Sequence, residues 1–295
     1  MTIKLTTLGG EHPDVATSYS NIGNVLNKKG EYDKALEYFE KSLAIRLKTL
    51  GGEHPDVATS YGVIGQAWNK KGEYDKALDY HEKCLVIYLK TLGSDHTWVA
   101  TSYNNIGLIW NKKGEYDKAL EYHEKCLAIK LNTLGGEHPD VATSYGFIGQ
   151  VWNCKGEYDK ALEYFEKSLT IKLKTKGGDH PDVATSYNNI GKVWYNKDGY
   201  DKALEYYEKC LAIKLKTLGG EHPDVATSYF NIGEMHESKG EYEKALEHYV
   251  LSSQIRFKKL GASNNITKTS IESAMRLAKE LGKENELPNW MKEIN

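Results

Sequence analysis

Val15-Ala16-Thr17-Ser18-Tyr19 is spelled again at 57–61, 99–103, 141–145, 183–187 and 225–229, each copy 42 residues after the last. A chain that repeats itself this strictly is a stack of one supersecondary unit in which each copy packs on its neighbours. What distinguishes such a protein is then carried by the positions at which the copies differ. Six full units fill 11–52, 53–94, 95–136, 137–178, 179–220 and 221–262.

Each unit holds two apolar patterns of helical period. In the first copy Val15, Tyr19, Ile22, Gly23 and Leu26 follow the i, i+3, i+4, i+7 rule, and Ala35, Phe39, Ser42 and Leu43 form the second stripe. Two amphipathic helices of roughly 15 to 18 residues, about 25 Å each, are implied. Pro13 suits a first helical turn, His12 is placed to cap it, and Asp14 faces the positive end of the helix dipole. Lys28-Lys29-Gly30 closes that helix and Leu50-Gly51-Gly52 breaks the second. The fold class is all-α, a solenoid of helical hairpins.

The ends depart from the pattern. Ile3 and Leu5 fall in register with Ile45 and Leu47, so residues 1–10 read as the partial helix of a preceding repeat. Residues 263–282 keep the register of Thr227, Ser228 and Gly240 but lose the tyrosine and glycine, and read as a polar-backed capping helix. Residues 283–295 follow as a tail, in which Leu287 and Trp290 offer apolar groups to dock on the cap and terminal fraying is the expectation.

Composition excludes more than it identifies. With 39 basic and 41 acidic side chains, net −2, no global field favours nucleic acid or an anionic membrane. No apolar run approaches the roughly 20 residues of a membrane span, and no secretory signal opens the chain. Cys84, Cys126 and Cys210 all occupy the place of Ser42, a small residue at a helix–helix contact, so no disulfides and a cytoplasmic location are expected.

Asn21-Ile22-Gly23-Asn24, then Gly30, Tyr32, Ala35, Phe39 and Ser42, resemble the tetratricopeptide repeat (TPR) pattern, with a period of 42 in place of about 34 because the second helix and its exit loop are longer. The words Leu50-Gly51-Gly52-Glu53-His54-Pro55-Asp56-Val57-Ala58 and Leu127-Ala128-Ile129-Lys130 look like the repeats of kinesin light chains and their relatives. The resemblance covers about residues 1–262. It implies a right-handed superhelix whose first helices line a concave groove for a protein or peptide ligand, with no cofactor.

The residues that tempt an enzymatic reading have plainer explanations. His-Pro-Asp recurs at repeat junctions, where Pro and Asp start a helix, and the junction histidines have no second ligand at i+3 or i+4. His81 and His123 replace Phe39 and read as packing residues. Trp68, Trp110, Trp152 and Trp194 replace Leu26 and read as core. No catalytic residue and no metal site are expected.

The copies differ most on the first-helix face, which marks it as the candidate site. In the first two copies this face carries Asn21, Asn24 and Lys28, then Val63, Gln66 and Lys70. The third carries Asn104, Asn105, Asn111 and Lys112, and the fourth Phe147 and Gln150. Asn188, Asn189 and Lys192 follow in the fifth, Phe230 and Asn231 in the sixth. Asparagine offers a donor and an acceptor to an extended peptide backbone, and Val63, Phe147 and Phe230 can receive apolar side chains. Lys28, Lys70 and Lys112 make the first half more basic, which suits an acidic segment of a partner. In chaperone-binding members of the tetratricopeptide superfamily a lysine or arginine at the position of Thr17 grips a terminal carboxylate; all six copies have threonine, so no carboxylate clamp for the tails of heat-shock proteins is expected. The function read from sequence is a non-enzymatic interaction scaffold that binds an extended peptide or partner helix, as a monomer or weak homodimer. The alternatives are a module that self-associates through Ile3, Leu5 and Leu8, or a regulatory segment of a larger signalling protein.

Overall fold

A computed structural model describes residues 9–292, so the expected helix and self-association surface over residues 1–8 lie outside the described residues. The described residues form helices and turns with no strand, in two compact units that divide after Val151. The first unit holds α1 (Pro13–Lys28), α2 (Tyr32–Leu50), α3 (Pro55–Lys71), α4 (Tyr74–Leu92), α5 (Thr97–Lys112) and α6 (Tyr116–Leu134). Helix α7 (Pro139–Lys155) contains the division. The second unit continues with α8 (Tyr158–Lys176), α9 (Pro181–Asn196), α10 (Tyr200–Leu218), α11 (Pro223–Ser238), α12 (Tyr242–Leu260) and α13 (Asn265–Glu280), then a 3₁₀ turn (Glu284–Glu286) and α14 (Asn289–Lys292). In the first unit α1 pairs with α2, α3 with α4 and α5 with α6 as hairpins, and in the second α9 pairs with α10 and α11 with α12; second helices also pack on the first helix of the next copy, as α2 does on α3 and α10 on α11.

The junction histidines are caps. In all six copies the Nδ1 atom accepts the backbone N–H two residues on at 3.1 Å, from His12 at the start of α1 to His222 at the start of α11. Helix α3 ends on Gly72 at φ +87°, a left-handed conformation that other residues adopt only with strain.

Within a hairpin the two helices meet at a glycine and a ring. A Cβ built on Gly23 would lie 2.6 Å from the Phe39 ring. The corresponding distances are 2.8 Å for Gly65 and His81, 2.9 Å for Gly107 and His123, 3.0 Å for Gly191 and Tyr207, and 2.9 Å for Gly233 and Tyr249. Val15, Ala16 and Ala35 close the same contact without residual exposure. Ser42 donates to the Ala16 carbonyl oxygen at 2.7 Å, and Cys84, Cys126 and Cys210 are buried at the equivalent position as free thiols.

A cation then ties most copies to the next. The Arg46 guanidinium donates to the Asp56 carbonyl oxygen at 3.1 Å and to the Ser60 hydroxyl at 2.7 Å. Lys214 repeats this at 3.2 and 3.1 Å on Asp224 and Ser228, and Arg256 donates to the Ile266 carbonyl oxygen at 3.2 Å.

Two expectations change. Trp68, Trp110, Trp152 and Trp194 are half-buried at the edge of the core, with Lys76, Lys118, Lys160 and Lys202 over their rings at 4.3, 4.3, 4.3 and 4.0 Å. The position lies where the first helix ends, so one indole face meets the core and a lysine of the following helix covers the other. Residues 283–292 are folded on the cap, where a frayed tail was expected. Leu287 and Met291 are buried against Ile271 and Leu277, and Trp290 stacks on Phe257 at 4.4 Å.

His81 and His123 are each 1% exposed, and burial lowers both to about 4. In the unfolded chain they titrate near the ordinary histidine value of about 6.5. Their folded values lie below that, so between these limits the unfolded chain binds protons that the folded chain refuses. Stability is full above about pH 6.5 and declines as pH falls toward 4, by on the order of 3 kcal/mol for each histidine. The double variant His81→Phe, His123→Phe, which borrows the ring of Phe39 and Phe165, should lose less stability over that window. Urea unfolding of both chains at pH 7.5, 6 and 4.5 measures the difference.

Candidate functional site

The first helices present the predicted face, and the structure gathers only part of it into a cavity. In the first unit Gly62, Val63 and Gln66 of α3, His81, Cys84 and Tyr88 of α4, and Trp98, Thr101 and Asn105 of α5 surround a cleft of about 330 Å³. Three of the predicted residues, Val63, Gln66 and Asn105, line it.

This cleft exists because the second and third copies break the repeat rule at several points together. Gly62 leaves space above the Cys84 sulfur, which a Cβ would approach to 3.6 Å. Tyr88 stands where Arg46, Lys130, Lys172, Lys214 and Arg256 stand in the other copies. Trp98 replaces the aspartate of the His-Pro-Asp word. The tie from one copy to the next is here aromatic: the Tyr88 and Trp98 rings lie 5.3 Å apart at 47°, and the Tyr88 hydroxyl shares a hydrogen bond with Thr59 at 2.9 Å. Burial raises the Tyr88 phenol and the Cys84 thiol above their ordinary ranges, so both stay protonated at neutral pH. Trp98 remains 48% exposed at the rim. A neutral, partly aromatic cleft with an amide at its edge is suited to an apolar side chain beside a peptide backbone.

The other predicted residues divide. Asn21, Asn24, Lys28, Lys70, Gln150 and Lys192 are exposed on their helices. Lys112 is exposed but donates to the Asn69 side chain of the preceding copy at 3.0 Å. Asn104 and Asn111 are half-buried, each with its Oδ1 atom enclosed and unpartnered. Phe147 stacks on the His123 ring at 5.6 Å and 14°, so it covers the core. In the second unit Asn231 donates to Asn188 at 3.4 Å, Asn189 is half-buried, and Phe230 lies 5.1 Å from the Tyr249 ring. Part of the asparagine ladder thus joins one copy to the next. Tyr88 lies on a second helix and Trp98 in the first turn of α5, so both escaped a reading of the middle of the first helices; comparing every column of the repeat reveals both.

Among the described residues no group of three or more His, Cys, Asp or Glu side chains could hold a metal ion, and no helix is long and apolar enough to cross a membrane.

The tetratricopeptide repeat family model matches residues 14–68, 65–132, 99–174, 153–199 and 194–256. The chain therefore belongs to the tetratricopeptide repeat family, in which repeats serve protein interaction. A solved Podosopora anserina protein with nearly identical, TPR-like kinesin light chain repeats is 27% identical, with a TM-score of 0.61 over 70% of this chain and 98% of that one. BtubC (BKLC) from P. vanneervenii is 20% identical, with a TM-score of 0.64 over 80% of this chain and 92% of that one. Aspartyl phosphate phosphatase F from Bacillus subtilis is 15% identical, with a TM-score of 0.65 over 94% of this chain and 71% of that one. The last two likenesses show the fold alone. No curated protein matches by sequence.

Restoring the repeat's own residues at the cleft, Tyr88→Lys with Trp98→Asp, should rebuild the cation-to-carbonyl tie seen from Lys214. The variant is expected to keep its stability within about 1 kcal/mol of the parent, the scale of one hydrogen bond. Thermal unfolding followed by circular dichroism checks this; a loss of about 3 kcal/mol or more would assign the aromatic pair to the scaffold.

Proposed function

We propose that the chain is a non-enzymatic interaction module that holds an extended peptide or a helix of a partner protein against its first-helix face, with the cleft around Val63 and Asn105 as the anchor. One observation carries this reading. The scaffold positions, from Val15 and Ala16 through the glycine and ring to the capping histidine, recur from copy to copy, whereas Val63, Tyr88 and Trp98 depart from the prevailing residue and converge on one cleft. Departures that collect in one place on a repeated scaffold are expected of a recognition site.

The ligand's chemistry follows from the lining. An apolar side chain fits between Val63, Tyr88 and Trp98, Asn105 pairs with the peptide backbone, and exposed Lys28 and Lys70 favour acidic residues nearby. Buried cysteines without disulfides suit a reducing compartment, and a cytoplasmic location belongs to this reading.

The test begins with a partner captured from source lysate and identified by mass spectrometry, its affinity then measured by calorimetry. Asn105→Ala with Asn189→Ala should weaken it by about 1–3 kcal/mol, because polar groups of the ligand lose their partners, with little change in Tm. A double variant that binds unchanged would remove the first-helix face from consideration.

A further inference from the structure

The second unit carries its own departures from the repeat. At the position held by Asn24, Gln66, Leu108, Gln150 and Lys192, the sixth copy has Glu234. One helical turn on, the asparagine of the first four copies becomes Tyr195 and then Glu237. These substitutions meet in a cavity of about 460 Å³ lined by Tyr195, Phe230, Tyr242 and Tyr249, by the carboxylates Glu234 and Glu237, and by Arg276.

The two acids have different employment. Glu237 accepts from the Tyr249 hydroxyl at 2.7 Å and from the Arg276 guanidinium at 2.7 Å, and Arg276 also reaches Glu280 at 3.2 Å. Glu234 is half-buried and makes no hydrogen bond or ion pair among the described residues. The other cation nearby is Arg256, which is 4% exposed, lies 4.9 Å from the centre of the Phe230 ring, and donates to the Ile266 carbonyl oxygen. Its charge acts on Glu234 from a distance, and burial with Glu237 nearby still raises the Glu234 carboxyl above the usual range. A half-buried, unpaired carboxylate is expensive unless a counter-charge reaches it. Beside it two rings stay open, with Tyr195 37% and Tyr242 45% exposed.

We propose that this cavity receives the cationic side chain of an arginine or lysine from a partner polypeptide, its charge on Glu234 and its methylenes and head group against Tyr195 and Tyr242. Charge complementarity selects the cation, and aromatic faces favour it over a neutral side chain of equal length. The proposal rests on the reading that this face binds polypeptide and names the residue type the second unit takes.

The full chain, with ¹³C-labelled tyrosine, is titrated with the acetylated and amidated pentapeptide Gly-Ser-Arg-Ser-Gly, and with the same peptide carrying lysine, norleucine, glutamine or glutamate at the centre. The arginine and lysine peptides should shift the Tyr195 and Tyr242 ring signals saturably, and Glu234→Gln should weaken binding at least about five-fold. Norleucine or glutamine peptides that bind as well, an unchanged response in Glu234→Gln, or no shift at these two rings up to about 10 mM would overturn the assignment. Partner capture tests the groove reading without this probe, so the two fail separately.

Discussion

The contact on which the hairpins depend is a mid-helix glycine lying against an aromatic or imidazole ring. Glycine inside a helix is less favourable than alanine by about 0.5–1 kcal/mol, yet five described hairpins place one where a Cβ would stand 2.6 to 3.0 Å from a ring. Overpacking at such a distance costs about 1–3 kcal/mol, which exceeds the propensity gain, so the close approach decides the residue. Once the two helices are that close, the neighbouring positions must be small: Ala16, Ala35 and the serine or cysteine that follows the ring.

The same constraint accounts for the histidines. Phe39, His81, His123, Tyr207 and Tyr249 all present a flat ring to the hairpin contact, and imidazole can serve if it stays neutral. Because the ring and glycine hold each hairpin internally, the ties between copies can vary. A cation on a carbonyl joins most of them, and Tyr88 with Trp98 joins α4 to α5. That substitution opens a cleft without disturbing the contact between Gly65 and His81 beneath it.

The period of 42, the hairpin and its start at Pro13 were legible because they rest on local rules of helix periodicity and capping. The candidate site was legible in part. Val63, Gln66 and Asn105 were picked out by their variation, but Tyr88 lies on a second helix and Trp98 in the first turn of α5, where the Pro-Asp positions were read only as a helix start. The bonds of Lys112 to Asn69 and of Asn231 to Asn188 span 43 residues and depend on the stagger of adjacent copies, which periodicity does not supply. The tryptophans looked like core because Leu26 is apolar, although Lys118 and Lys202 show that the site opens to solvent on one side. Docking of Leu287 and Met291 follows from the apolar surface of α12 and α13, a tertiary fact absent from the short tail itself.

If the glycine and ring contact governs the hairpin, the effect of adding a methyl at Gly107 must change sign with the ring opposite it. The decisive measurement is a double-mutant cycle of Gly107→Ala and His123→Ala by chemical denaturation. Gly107→Ala should destabilise the parent by about 1–2 kcal/mol, the overpacking penalty less the helix-propensity gain, and should stabilise the His123→Ala chain, where the Cβ enters vacated space. An equal loss in both backgrounds would contradict the account.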